Sequence, residues 1–177
     1  MASRFKGYIQ VYTGDGKGKT TAALGLALRA AGRGLRVYIG QFLKARESGE
    51  HLAAEKLAPL VTIERFGRKG FLDLAKPPGA ADIRRADLGM QKCLEAMDSG
   101  GYQVVILDEI NTAVKLGIVK ETDVLAFLEN KPESVEVILT GRSAAPSIIR
   151  RADLVTEMKE IKHYFRRGVK ARRGIET

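Results

Sequence analysis

A glycine-dense loop set between an apolar strand and an alanine/leucine-rich helix start constrains this chain more than any other feature. Residues 8–12 read Tyr-Ile-Gln-Val-Tyr, residues 13–21 Thr-Gly-Asp-Gly-Lys-Gly-Lys-Thr-Thr, and residues 22–28 Ala-Ala-Leu-Gly-Leu-Ala-Leu. Gly14, Gly16 and Gly18 carry no Cβ, so the backbone N–H groups can curl inward into a concave anion nest. A helix beginning near Lys19 adds its unpaired N–H groups and the positive end of its dipole to the same point. Lys19 then reaches the outer phosphates of a nucleotide, and the Thr20 hydroxyl is placed to hold Mg²⁺. The general pattern is Gly-x-x-x-x-Gly-Lys-Ser/Thr, and Thr13 stands where its first glycine would be. Thr13, Gly14, Asp15, Gly16, Lys17, Gly18, Lys19, Thr20 and Thr21 are the expected nucleotide-binding residues.

A domain of this kind needs an acid at the end of a second strand. Val104-Val-Ile-Leu is a run of four apolar residues, the signature of a strand buried on both faces of a parallel sheet, and it ends in Asp108-Glu109. Those carboxylates emerge at the sheet edge where the glycine loop also sits, so one of them, directly or through water, completes a Mg²⁺ site with Thr20. The sequence leaves open which one is the inner ligand. Thr140-Gly-Arg142 closes another apolar strand and should reach the same edge. Arg142 is there either to touch a phosphate or as a surface arginine.

Along the chain, strands are expected over residues 7–12, 35–39, 61–66, 102–109, 135–142 (running into a loop) and 154–158. Helices are expected over 19–32, 82–99, from a cap at Thr122 or Asp123 to Asn130, and over 147–152, with a partly helical stretch before Pro59. Strands alternating with helices predict a single three-layer α/β domain, residues 1–177, with a mostly parallel central sheet. The net charge of +9 favours anionic partners without choosing among them. Cys93 is the only cysteine and sits in a helical apolar pattern, which excludes an internal disulfide and reads as a small buried hydrophobe. His51 and His163 read as surface or packing residues. No secretory leader or membrane span is visible, so a soluble, cytoplasmic protein is expected. No nucleophile paired with a general base can be identified.

Taken in order, these segments resemble the ATP:corrinoid adenosyltransferases that carry a phosphate-binding loop. The matching stretches are Thr13–Ala23, Val37–Lys44, Val105–Glu109, Val137–Arg142, Ala152–Glu157, Lys162-His163 and Gly168–Glu176. The resemblance implies a RecA-like phosphate-loop fold and a specific reaction: a Co(I) corrinoid attacks the 5′ carbon of ATP and expels triphosphate. Co(I) is itself a strong nucleophile, which accounts for the missing base. It further implies Lys19, Thr20 and Glu109 as catalytic residues, Mg²⁺ on Thr20 with Asp108 or Glu109, and a triphosphate reversed relative to ordinary phosphate-loop hydrolases. A reducing flavoprotein partner and a homodimer are also implied. Phe71, in Gly70-Phe71, is the implied contact at the cobalt's lower face. Related sequences carry a tryptophan just after this point, and this chain has no Trp. Some relatives have a longer N-terminal lid; here only Met1 to Lys6 precede the first strand, so a lid is expected to be short or absent.

Two other classes share the loop. A generic NTPase or kinase-like phosphoryl transferase would release orthophosphate or phosphorylate a substrate. A RecA-like nucleic-acid-binding ATPase would use the basic charge to track phosphates, but 6% aromatic residues, scattered along the chain, give it few bases to stack. Neither nucleic acid nor membrane is an expected partner.

Overall fold

The computed structural model describes residues 5–67 and 77–176. Among the described residues six strands form one sheet: β1 (Ile9–Thr13), β2 (Val37–Gln41), β3 (Val61–Arg65), β4 (Val104–Asp108), β5 (Glu136–Thr140) and β6 (Leu154–Glu157). Their order is β3-β2-β4-β5-β1-β6, and every pairing is parallel, so the expected mostly parallel sheet is parallel throughout. Parallel neighbours require crossovers, and six helices supply them: α1 (Lys19–Ala31), α2 (Gly49–Lys56), α3 (Ala80–Asp98), α4 (Ile110–Lys115), α5 (Glu121–Glu129) and α6 (Pro146–Arg151). A 3₁₀ turn, Tyr164–Arg167, follows β6.

Strand side chains alternate between the two faces, and in the central strands both faces are apolar. Val105, Leu107, Val137 and Leu139 point into the core shared with α3, α4 and α5. Val104, Ile106 and Ile138 point the other way, onto the alanine face of α1 formed by Ala23, Ala27, Ala30 and Ala31. Small residues on that face let α1 lie close across the sheet, which places its first turn above the ends of β4 and β5. β6 is the exception. It is an edge strand, and Leu154 and Val155 are 44% and 42% exposed.

Two local expectations are corrected. Helix α5 begins at Glu121 with Lys120 as its N-cap and no side-chain capping bond, so neither Thr122 nor Asp123 caps it. Glu121 and Asp123 lie inside the first turn, where carboxylates favour the helix dipole. Helix α4 was not expected at all; it starts straight after β4 because Glu109 turns the chain at a left-handed φ of 64°.

Cys93 is wholly buried, as its helical setting suggested, and burial pushes its thiol far above the ordinary cysteine range. A thiolate is the reactive form. The folded protein is therefore expected to give no measurable reaction with a thiol reagent at pH 8, and one thiol per chain after denaturation. Rapid labelling of the native protein would contradict this packing. No helix of the described residues is long and apolar enough to cross a membrane.

Candidate functional site: a phosphate cradle over a buried aspartate

The glycine loop links the C-terminal end of β1 to α1. Gly14 is at φ 93° and Gly18 at φ 120°, backbone that favours glycine. A Cβ on Gly14 would also lie 2.4 Å from the Met158 carbonyl oxygen. The loop is held against the segment after β6, where Gly16 N–H donates to Met158 O at 2.7 Å. Thr13 keeps its side chain because it is still strand. Its hydroxyl accepts from Ala144 N–H at 3.1 Å and ties β1 to the loop after β5. The N-terminus of α1 has no side-chain cap and no acid in its first turn, so its N–H groups are left for an anion.

Lys19 is 7% exposed, and its ammonium donates to Gly14 O and Gly16 O at 2.7 Å each. Burial pushes its pKa below the ordinary lysine value; Glu109 and Asp15 act against that shift and Arg142 with it. Lys19 thus holds the loop's curvature from inside while remaining at the cavity wall. That cavity encloses about 550 Å³. It is lined by the loop from Asp15 to Thr21, by Lys44, Glu109 and Arg142, and by Glu160, His163 and Gly174–Glu176 from the chain after β6. Thr13, the last residue of β1, and Gly14, the first of the loop, do not line it.

Behind Thr20 lies Asp108, 1% exposed at the end of β4. Its Oδ1 accepts from the hydroxyls of Thr20 at 2.8 Å and Thr140 at 2.7 Å. Oδ2 accepts from Lys44 Nζ at 2.7 Å and Gln41 Nε2 at 3.1 Å. Thr140 lies on β5, the strand between β1 and β4, and bridges the gap: it also accepts from Glu109 N–H at 2.9 Å. Asp108, not Glu109, is the acid that meets Thr20. The Glu109 carboxylate turns into the cavity and accepts from the Thr112 hydroxyl at 2.7 Å.

Arg142 reaches the cavity, as its strand-end position suggested. His163 does too, although the sequence marks it only as a surface or packing residue. His51 is 7% exposed and caps α2 through Ser48, a packing role. Phe71 lies outside the described residues. Gln41, Lys44 and Thr140 carry no individual role in the sequence; their signals are a polar side chain at or just past the end of an apolar strand and a place in the stretches that resemble the family. The C-terminal tail was likewise unassigned. There Glu176 accepts from Tyr164 and Arg172 and lines the cavity, and the Arg172 hydrogen bonds, with that from Tyr164, hold its carboxyl down to about 2. A second, apolar recess of about 420 Å³ adjoins the cavity, walled by Leu24, Leu28, Leu57 and Ile63 and sharing Thr21, Leu24, Gly49 and Glu50 with it.

A parallel sheet with a glycine loop at the end of β1 and a buried acid behind its threonine defines a phosphate-loop nucleotide-binding protein. A crystal structure of a KaiC-like protein from Pyrococcus horikoshii shares the fold, with a TM-score of 0.57 at 15% identity over 89% of this chain and 75% of that one. The family model for ATP:corrinoid adenosyltransferase BtuR/CobO/CobP matches residues 5–177. A corrinoid adenosyltransferase of Pseudomonas aeruginosa is 35% identical over 97% of this chain and 84% of its own length. One from a Sinorhizobium species is 39% identical over 97% and 80%. The chain belongs to the ATP:corrinoid adenosyltransferase family.

Proposed function

We propose that this protein, acting as one domain, transfers the 5′-deoxyadenosyl group of ATP to the Co(I) centre of a corrinoid and releases triphosphate. The observation that carries this reading is the family match along residues 5–177. In the transfer a Co–C5′ bond forms and the C5′–O bond breaks, its electron pair leaving with the triphosphate. No proton moves, so the protein's tasks are alignment and stabilisation of developing negative charge.

The loop amides from Lys17 to Thr21, the Lys19 ammonium and the Arg142 guanidinium are suited to that charge, while the Gly16 N–H is already taken by Met158 O. Thr13 shapes the loop from behind. Thr20 and Asp108 fit a Mg²⁺ site, because a cation, the Lys44 ammonium, already lies within 3.3 Å of both. Mg²⁺ bound there would neutralise phosphate charge; Glu109 stands on the cavity side to hold its water shell. Among the described residues no cluster of three acid, His or Cys side chains forms a metal cage, which suits an ion shared with phosphates. The joined polar and apolar recesses suit a substrate pair with one polyanionic and one apolar partner. Phe71 for the corrinoid's lower face, a reducing flavoprotein, a homodimer and a cytoplasmic setting complete the proposal.

The test is anaerobic: protein, MgATP and chemically reduced cob(I)alamin, followed by visible spectroscopy. A light-sensitive adenosylcobalamin spectrum with equimolar triphosphate is expected. Orthophosphate without a spectral change would instead indicate an ordinary NTPase.

Lys19 also sets a pH dependence. Its lowered pKa means that the unfolded chain binds this proton more tightly, so the group costs stability at neutral pH and the cost is relieved as pH rises. Phosphate binding needs the charged form. Affinity for ATP, read by calorimetry, is expected to fall at a lower alkaline pH than an ordinary lysine would give. A flat profile up to the ordinary lysine range counts against Lys19 as a phosphate ligand.

A further inference from the structure

Above Asp108, at the point where Thr20 and a carboxylate would share a cation, the protein supplies one of its own. Lys44 Nζ lies 2.7 Å from Asp108 Oδ2, 3.3 Å from Thr20 Oγ1 and 4.0 Å from Glu50 Oε1. The Lys44 side chain is 30% exposed and lines the cavity, whereas that of Asp108 is 1% exposed. The backbone end of this lysine is fixed, while its ammonium sits on a flexible, partly exposed stem that can turn if a stronger partner arrives. Its carbonyl accepts from Gly67 N–H at 2.9 Å, and Phe42, wholly buried, donates its N–H to Asp108 O at 2.9 Å. Between them Leu43 is held at φ 62°, a left-handed conformation that costs energy in a bulky residue and marks a position the surrounding structure enforces.

We propose that Lys44 is an exchangeable counter-ion: its ammonium neutralises Asp108 in the free protein and moves to the phosphates of incoming nucleotide, leaving Thr20 and Asp108 to the accompanying divalent cation. This rests on reading the loop as a triphosphate site with its cation at Thr20 and Asp108. The electrostatics run in one direction. With Lys44 in place, the two acids Asp108 and Glu50 already share one positive charge, and a hydrated dication would have to approach an ammonium at close range. A polyanion in the cradle reverses the balance. Lys44 gains a polyanionic partner in the cavity it lines, and Asp108, which keeps its hydrogen bonds from Thr20, Thr140 and Gln41 but loses its counter-charge, then favours a cation. Metal and nucleotide therefore enter together, and a free divalent ion does not occupy the site alone. Burial of Asp108 drives the exchange, since a carboxylate that cannot reach water is costly to leave without a counter-charge.

The probe is Mn²⁺ in equilibrium dialysis, with wild type, Lys44→Met, Lys44→Gln, Lys44→Arg and the double variant Lys44→Met/Asp108→Asn. Wild type is expected to retain Mn²⁺ only with ATP present. Lys44→Met and Lys44→Gln are expected to bind Mn²⁺ without nucleotide at least about tenfold more tightly than wild type, with a Tm that rises on adding the metal. Lys44→Arg, which keeps the charge, should follow wild type, and Asp108→Asn should abolish the gain. Wild type binding Mn²⁺ alone within about twofold of a folded Lys44→Met or Lys44→Gln overturns the proposal; so does wild type that binds Mn²⁺ as tightly without ATP as with it, an arm that needs no variant to fold. Retention of no Mn²⁺ by wild type even with ATP would instead overturn the Thr20/Asp108 cation position, and the proposal with it.

Discussion

Lys19→Ala is expected to lower kcat/KM for ATP by roughly 1,000-fold while leaving the fold intact. A unit charge about 4 Å from a phosphate, at the effective dielectric of a partly buried site, is worth about 4 kcal/mol, or about three decades in rate. The burial that pushes the pKa of Lys19 down also means that the ammonium is costly to hold in the free protein. Its removal therefore has two opposed effects on stability. Hydrogen bonds to Gly14 O and Gly16 O are lost, at about 1 to 3 kcal/mol together, and a desolvated charge is relieved. These nearly offset, and a Tm change of no more than about 4 °C is expected. The adenosylation assay and a thermal melt read the two halves separately. Turnover within about tenfold of wild type would remove Lys19 from the phosphate site. A collapse of Tm would make it chiefly a brace for the loop.

What the sequence makes legible follows from how local each feature is. The cradle is local: its glycines, Lys19 and Thr20 fall within nine consecutive residues, and the strand and helix on either side are themselves short-range patterns. The fold class was legible for the same reason, since alternating apolar runs and helical repeats imply crossovers. The support beneath the cradle is not local. Gln41, Lys44, Asp108 and Thr140 meet because β2, β4 and β5 are neighbours in the order β3-β2-β4-β5-β1-β6, which no residue pattern encodes. Asp108 stood out because an acid after four apolar residues is conspicuous; Gln41 and Thr140, uncharged at strand ends, are not. The choice between Asp108 and Glu109 also needed backbone geometry. The left-handed turn at Glu109 gives the adjacent carboxylates different partners, Asp108 meeting Thr20 and Glu109 meeting Thr112 at the cavity wall. Helix α4 escaped notice through the same turn, because it begins without a capping residue of the usual kind.

Asp108→Asn is expected to destabilise the protein by about 2 to 4 kcal/mol, a Tm drop of roughly 5 to 15 °C, and to remove most activity. Four donors converge on this carboxylate, from Thr20, Thr140, Gln41 and Lys44. An amide can satisfy much of that set, since both threonine hydroxyls can rotate to accept from its NH₂ group. What it cannot replace is the charge opposite Lys44. Stranding one member of a buried ion pair costs about 3 to 5 kcal/mol. The expected loss is smaller here because the Lys44 side chain is 30% exposed and Glu50 lies 4.0 Å from its ammonium. The pairing has a sharper signature than either single loss. Lys44→Met strands Asp108, which has less access to water than Lys44, so it too should cost about 2 to 4 kcal/mol. Made together, the two substitutions remove both charges and leave nothing stranded. The double variant should then be more stable than the sum of single losses predicts, by about 2 kcal/mol or more. Denaturant melts of the four proteins give this coupling directly. Additivity within about 0.5 kcal/mol would mean that Lys44 and Asp108 do not depend on each other, and that the carboxylate draws its stability from the threonines and Gln41.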